Sequence, residues 1–203
     1  MFQNNAFKIE TERLFIRCYH ISDAVALKEL VDSSIDHLLP FMPWADQEPI
    51  SLNERTILLR TWIGDFYKNE DFIYGAFLKS GQLIGSTGLH TRRGKDILEV
   101  GYWIGVDHIN QGFATEISYA LTKVAFEHMD AKKVEIRNDV LNQASEKIPK
   151  KLNFQPGGVI THIKRRKDGT RIQHAIWNMF KEDFKPMNKF EPIKIYDALG
   201  RPL

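Results

Sequence analysis

Residues 99–116, EVGYWIGVDHINQGFATE, constrain this chain more than any other stretch. An apolar strand passes through a short polar turn into a helix whose residues Phe113, Ile117, Leu121 and Val124 recur on one stripe, with Met129 extending it and Glu116 in the first turn. A strand that feeds a helix so abruptly belongs to a layered α/β domain in which the helix folds back on a sheet. The first-turn N–H groups of such a helix lack internal acceptors and sit at the positive end of its dipole, so the turn can receive an anion. Gly112 either allows close backbone approach to a ligand or is simply a turn residue. The pattern is neither G-x-G-x-x-G nor G-x-x-x-x-G-K-[ST], which speaks against a Rossmann dinucleotide site and a P-loop.

The rest of the chain can be ordered around this unit. Residues 12–19 alternate, Leu14, Ile16 and Cys18 against Arg13, Phe15 and Arg17, as a half-buried strand does. Ser22 is expected to cap a first helix, and Ser51 with Glu54 forms a capping box before a second that reaches about residue 68. Strand-like runs at 72–79, 83–90 and 97–106 read as an antiparallel meander, and 133–138 as a further strand. Asn142 can N-cap a helix running to about residue 153, with Pro149 kinking anything beyond its first turn; residues 159–180 read as a hairpin turning at Asp168-Gly169. These elements predict one α/β (α+β) domain, residues 1–184, with a mixed, mostly antiparallel sheet of about seven strands and about four helices. The tail, 185–203, is either disordered or pinned by Phe190, Ile193, Ile195 and Tyr196.

Composition narrows the function classes. The chain of 203 residues carries 28 basic and 26 acidic side chains, a balance too even for a generic DNA binder, and it has no apolar run long enough to span a membrane. A single cysteine and a start without basic or apolar leader regions point to the cytoplasm. The seven histidines show no ligand spacing, so no metal site is expected, and there is no nucleophile elbow for a Ser-His-Asp site. Charge is locally uneven. Lys147, Lys150, Lys151, Lys164, Arg165, Arg166, Lys167 and Arg171 against Glu146 and Asp168 make an excess of about six, either a solvated face or a contact for phosphate or an acidic partner.

Several separated pieces together resemble one family: TERL at 11–14, HL at 37–38, MPW at 42–44, GYWIG at 101–105, QGFAT at 111–115, VEIR at 134–137, NQAS at 142–145 and IPKKLNF at 148–154. Over about residues 7–184 the chain is similar to the GNAT superfamily of acetyl-CoA-dependent N-acetyltransferases, in its RimJ/RimL-like branch that acetylates protein N-termini. The resemblance implies a GNAT-like fold with splayed central strands that admit the pantetheine of acetyl-CoA or coenzyme A. Trp103, Ile104 and Val106 on the strand ending at Val106 would hold its amides, with the Ile104 N–H as oxyanion donor. The backbone of Gln111, Gly112, Phe113, Ala114 and Thr115 would hold the pyrophosphate. Asn142 would reach the pantetheine or act only as a helix cap, and Ser145 would protonate the leaving thiolate or serve as a second capping residue. Lys147, Lys150 and Lys151 would lie toward the cofactor's phosphates. The family's phosphate loop, [QR]-x-x-G-x-[GA], has Ile109 in its first position here and Asn110 where glycine is common, which removes a polar or cationic contact. Pro149 stands where many members carry an acid tyrosine, and Asn153 where glycine is usual, as an αL C-cap.

Transfer needs a neutral amine. At pH 7 roughly 10% of an α-amino group but only about 0.04% of a lysine is unprotonated, which favours an N-terminal acceptor. Glu99 matches the branch's candidate base, acting directly or through water, or else is a lysine-paired surface glutamate. His90 and His108 are bases by residue type alone. His37 and Trp44 fall where the family shapes its acceptor pocket. The resulting expectation is a monomeric or homodimeric cytoplasmic enzyme acetylating a protein or peptide N-terminus. The alternatives are a small-amine acetyltransferase acting on a polyamine, aminoglycoside or amino-acid analogue, and a non-catalytic CoA-binding module. An open cleft beside Trp44 favours peptides, whereas a closed acidic pocket favours polyamines.

Overall fold

The computed structural model describes residues 6–166 and 168–203. Among them the elements run β1 (Lys8–Glu10), β2 (Leu14–Cys18), α1 (Ala24–Leu38), α2 (Leu52–Lys68), β3 (Phe72–Leu78), β4 (Leu83–His90), β5 (Ile97–Ile104), α3 (Phe113–Glu127), β6 (Lys133–Asp139), α4 (Gln143–Lys151), β7 (Gln155–Arg165), β8 (Arg171–Phe180) and β9 (Lys194–Tyr196). One sheet takes all nine strands in the order β7-β8-β6-β5-β4-β3-β2-β1-β9. Every pairing is antiparallel except β5 with β6, whose parallel direction requires the α3 crossover.

The mixed sheet and four helices agree with the sequence reading; the strand count does not. The two extra strands are the edge pair β1 and β9, three residues each and too short to show a periodicity. The tail is pinned there: β9 pairs with β1, Ile195 opposite Ile9, and both side chains are buried. Other boundaries move for local reasons. Ser22 lies inside a 3-10 turn, Ile21–Asp23, and the Asp23 carboxylate accepts from the His20 N–H instead. The capping box is present, with Ser51 Oγ accepting from Glu54 N–H and the Glu54 carboxylate accepting from Ser51 N–H. The last hairpin begins at Gln155 rather than at 159 and turns at Gly169 with φ +84°. Lys167, part of the basic run, lies outside the described residues.

Two apolar layers sandwich the sheet. Leu98, Val100 and Ile104 of β5 pack with Ile117, Leu121 and Val124 of α3 on one face. On the other, Trp103 joins Leu27 and Val31 of α1, Leu59 of α2 and Trp44. The alternation along β5 therefore sends Glu99, Gly101 and Trp103 to the α1/α2 face, and Val100, Tyr102 and Ile104 to the α3/α4 face.

Candidate active site

The β5–β6 ladder is incomplete. Ile97 to Val100 pair with Lys133 to Ile136, and beyond them the two strands part: Gly101 to Ile104 pair only with β4, and Arg137 to Asp139 only with β8. The direction of the freed backbone follows from register. Gly105 N–H donates to Ile84 C=O at 2.8 Å, and β4 and β5 are paired in unbroken antiparallel register from there back to Glu99. Alternate residues point alternate ways, so Tyr102 and Ile104 turn their N–H and C=O groups away from β4 and into the gap. Backbone groups facing an opening in mid-sheet suit an extended amide-bearing ligand.

Expected contacts at Val106 change. The strand stops at Ile104, Val106 enters a 3-10 turn, and its N–H already donates to Ser34 Oγ of α1 at 3.1 Å. The loop beyond has Asn110 at φ 60° and Gly112 at φ 83°, both left-handed, and α3 starts at Phe113. The Phe113 and Ala114 N–H groups have no helical acceptor there, while Thr115 and Glu116 N–H donate to Gly112 C=O. Gln111 and Gly112 are exposed, whereas Phe113 and Thr115 bury their side chains. A cation stands at this loop although Ile109 supplies none. Arg13, from the TERL turn before β2, donates from Nη1 to Gln111 C=O at 2.9 Å and from Nε to Glu116 at 2.7 Å, and its guanidinium lies 4.4 Å from the Phe113 ring centroid. Buried Glu116 also accepts from Thr11 Oγ1 at 2.6 Å. The conjunction of Arg13 and Glu116, far apart in sequence, had no local signal.

The floor of the α3/α4 side of the gap holds two hydroxyls. Asn142 caps α4, its Oδ1 accepting from Ser145 N–H at 3.0 Å, so the capping reading of Asn142 is realised. Ser145 Oγ lies 2.9 Å from Tyr102 Oη, which is also 3.4 Å from Ser145 C=O. Pro149 explains why that carbonyl is available: proline has no N–H to donate four residues back. Rather than kinking a longer helix, Pro149 sits two residues from the end of α4, which closes with Asn153 at φ 63° as the αL residue. Burial pushes the Tyr102 phenol up, keeping it protonated. The motif GYWIG points to backbone contacts alone and gives Tyr102 no role of its own; its even-numbered register with Ile104 is the clue that turns its side chain to the α3/α4 face. Of the α4 lysines, Lys150 pairs with Glu146 at 2.6 Å and lies 5.5 Å from the Trp177 ring centroid, on the β8 side rather than at the α3 N-terminus.

On the opposite face Glu99 is not the free carboxylate expected of a base. It is buried, its two oxygens are held by Arg92 and Arg93, and Arg137 is 3.8 Å away. Burial alone would raise its pKa, but the two arginine hydrogen bonds outweigh burial and hold it below the usual carboxylate value. Arg137 is also paired with Glu135 at 2.7 Å, and Arg166 with Asp139. Trp44 and Trp103 meet with ring centroids 5.8 Å apart, whereas His37 is exposed in the last turn of α1 and takes no part in that pair. His108 lies at the far end of β5, 3.3 Å from Gln82 Nε2. Cys18 is buried on β2, and burial pushes its thiol up to about 11. Among the described residues no cluster of three or more His, Cys, Asp or Glu is placed to hold a metal, and no helix is long and apolar enough to cross a membrane.

A mixed sheet whose central strands part, with a helix N-terminus at the mouth of the gap, is the fold of an acyl-group transferase that takes a CoA thioester. A family model described as an acetyltransferase (GNAT) domain matches residues 13–155, and the chain belongs to that family of acetyl-CoA-dependent N-acetyltransferases. Among curated proteins, YdaF of Bacillus subtilis (strain 168), provisionally named a ribosomal N-acetyltransferase, is 26% identical over 148 residues, 72% of this chain and 80% of that protein. Two solved structures share the fold: RimL, a ribosomal L7/L12 alpha-N-protein acetyltransferase in complex with coenzyme A (TM-score 0.76, 19% identity, covering 86% of this chain and 99% of that one), and RimJ of Mycobacterium smegmatis in complex with CoA-disulfide (TM-score 0.78, 16% identity, covering 89% and 90%).

Proposed function

We propose that this protein transfers an acetyl group directly from acetyl-CoA to the α-amine of a protein or peptide N-terminus. The observation that carries the reading is the parted β5–β6 pair, with unpaired Tyr102 and Ile104 backbone groups inside it and the Tyr102–Ser145 hydroxyls against it. Acetyl-CoA supplies the acetyl group as an activated thioester. The Ile104 N–H, which faces into the gap, would donate to the thioester oxygen, where charge develops. The Tyr102–Ser145 pair gives the leaving thiolate a proton, in place of the acid tyrosine that Pro149 removes. The exposed Gln111–Gly112 backbone, the Phe113 and Ala114 N–H groups that lack helical acceptors, and Arg13 would hold the phosphates, and Asn142, beyond the Oδ1 that caps α4, would meet the pantetheine. Direct transfer rather than an acetyl-enzyme is supported by Cys18, which is buried and kept in its thiol form.

The acceptor side supports a peptide over a polyamine. Its buried carboxylates Glu99, Glu135 and Asp139 are each ion-paired with arginine, so they do not form a free acidic cluster for a polycation. Trp44 and Trp103 instead offer an aromatic wall beside the strand. The names of YdaF and RimL point the same way. The test is a panel of peptides with free N-termini, a polyamine and an aminoglycoside, each incubated with acetyl-CoA and read by mass spectrometry. An acetyl-sized gain confined to peptide α-amines is expected; transfer only to small amines overturns the acceptor assignment.

A further inference from the structure

We infer that His90, oriented by Asp71, is the group that takes the proton from the acceptor amine, on the face of the sheet opposite the Tyr102–Ser145 pair. The inference rests on the acetyltransfer reading above and assigns its missing base.

Four observations converge on this histidine. His90 ends β4 and Asp71 immediately precedes β3, so the β3–β4 pairing brings them together: His90 Nδ1 lies 2.8 and 3.1 Å from the two Asp71 oxygens. A carboxylate at Nδ1 selects the tautomer with the proton on Nδ1 and leaves Nε2 as a lone-pair acceptor. Second, among the described residues no hydrogen bond reaches Nε2, so the nitrogen is not spent, and the side chain as a whole retains 16% exposure.

Third, the ring has a bed built for it. Gly88 and Gly101 are register partners on β4 and β5, and a Cβ on either would come to 3.1 or 2.9 Å from His90 Nε2. Paired glycines inside two strands weaken a sheet, and here they leave room for an imidazole lying flat. Fourth, that bed sets direction. His90 is opposite Glu99, but its ring leans over the next pair along, toward the end where β5 leaves β6. Nε2 therefore lies over Gly101, next in chain to Tyr102 at the start of the gap and next on the same face to Trp103, which Trp44 joins. Glu99 is further back and closed by its arginines.

Proton and electron counts balance. The amine nitrogen forms the C–N bond to the acetyl carbon, the proton it sheds goes to Nε2, the C–S bond breaks, and the thiolate takes a proton from the hydroxyl pair. Solvent then removes the proton from His90 and returns one to the hydroxyls. The charged groups around the ring are Asp71 on β3's leading end, Glu99 across on β5, and Arg92, Arg93 and Arg137 that neutralise Glu99.

The test compares wild type, His90→Ala, His90→Gln and Asp71→Asn, using whichever amine the wild type acetylates. Affinity for CoA and the melting curve show that each variant is folded and loaded. His90→Ala is expected to lower kcat about 100-fold, to flatten the acidic limb of the pH–rate profile and to regain rate with added imidazole. Asp71→Asn is expected to lower kcat about 10-fold and to shift the ring's tautomer signal in nitrogen NMR. A folded, CoA-binding His90→Ala that keeps its rate within about twofold across pH overturns the inference. So does a wild-type ring carrying its proton on Nε2 at high pH, a result that needs no acceptor. A wild type that transfers to small amines but to no peptide would defeat the acceptor assignment alone.

Discussion

Arg13→Ala separates two roles that the geometry assigns to one guanidinium. In the folded protein Glu116 has a side chain only 5% exposed, and Arg13, 41% exposed, is its sole cationic partner among the described residues. Removing it leaves the buried carboxylate with Thr11 Oγ1 at 2.6 Å and the residue-13 N–H at 3.3 Å. Breaking a fully buried pair costs about 3–5 kcal/mol, and the half-exposed arginine reduces that to about 2 kcal/mol. For a domain of this size that is a fall in Tm of about 6 °C. The second role is electrostatic. Arg13 Nη2 lies 3.6 Å from where a Gly112 Cβ would stand, so the charge borders the proposed phosphate loop. A unit charge about 5 Å from a phosphate, at a dielectric between surface and water values, contributes about 1.5 kcal/mol, or about a tenfold weaker CoA Kd in the variant. Calorimetric titration with CoA and with pantetheine checks this, because pantetheine lacks the phosphates. CoA binding should weaken, pantetheine binding should hold, and the difference should shrink with added salt. Glu116→Gln, which keeps the Arg13 charge, should lose stability but retain CoA affinity. An Arg13→Ala protein that melts earlier yet binds CoA within about twofold of wild type would refute the phosphate role.

Three further outcomes follow from the same geometry. Ser145→Ala and Tyr102→Phe should each lower kcat by about 10–100-fold with CoA affinity retained, and the double variant should cost little more than either alone, because the two hydroxyls act as one unit; additive losses in stopped-flow transfer assays would separate them. Gly112→Val should destabilise the free protein by about 2 kcal/mol, because φ is +83° and not because of crowding, and should also weaken CoA; unchanged CoA affinity in a folded variant would remove the loop from the site. Glu99 has a folded pKa below its unfolded value near 4.5, so its contribution to stability is present above that pH and is lost as pH falls through the folded value. Glu99→Gln should therefore be less stable than wild type at neutral pH, with the gap closing in acid melts, and its kcat should change less than that of His90→Ala.

Local chemistry made much of the architecture readable. The capping box at Ser51 and Glu54, the stripe of α3 and the alternation of β2 are set by neighbours within a few residues, and each matches its element. Strands β1 and β9 carry no such pattern in three residues; β1 is set by its pairing with β2, and the edge strand β9 by its pairing with β1 across the length of the chain. At the site, the gap lies on the strand the motif indicates, but the arginines around Glu99 are not legible in the spacing. Arg92 and Arg93 stand seven and six residues before Glu99, and only the hairpin's fold-back turns that separation into contact.

By itself, then, the sequence determined the family, the strand–turn–helix unit with its glycine at the turn, and the departures at Ile109 and Pro149, all of which depend on residue type and short-range spacing. Tertiary structure decided what those departures mean. Arg13 reaches the proposed phosphate loop, where residue 109 supplies no cation, and the carbonyl that Pro149 leaves without a helical donor lies beside the Tyr102 hydroxyl. His90 acquires Asp71 on one nitrogen and a glycine bed beneath the other. Each joins groups from different strands or helices, and strand register and layer packing, rather than local propensity, bring them within hydrogen-bond reach.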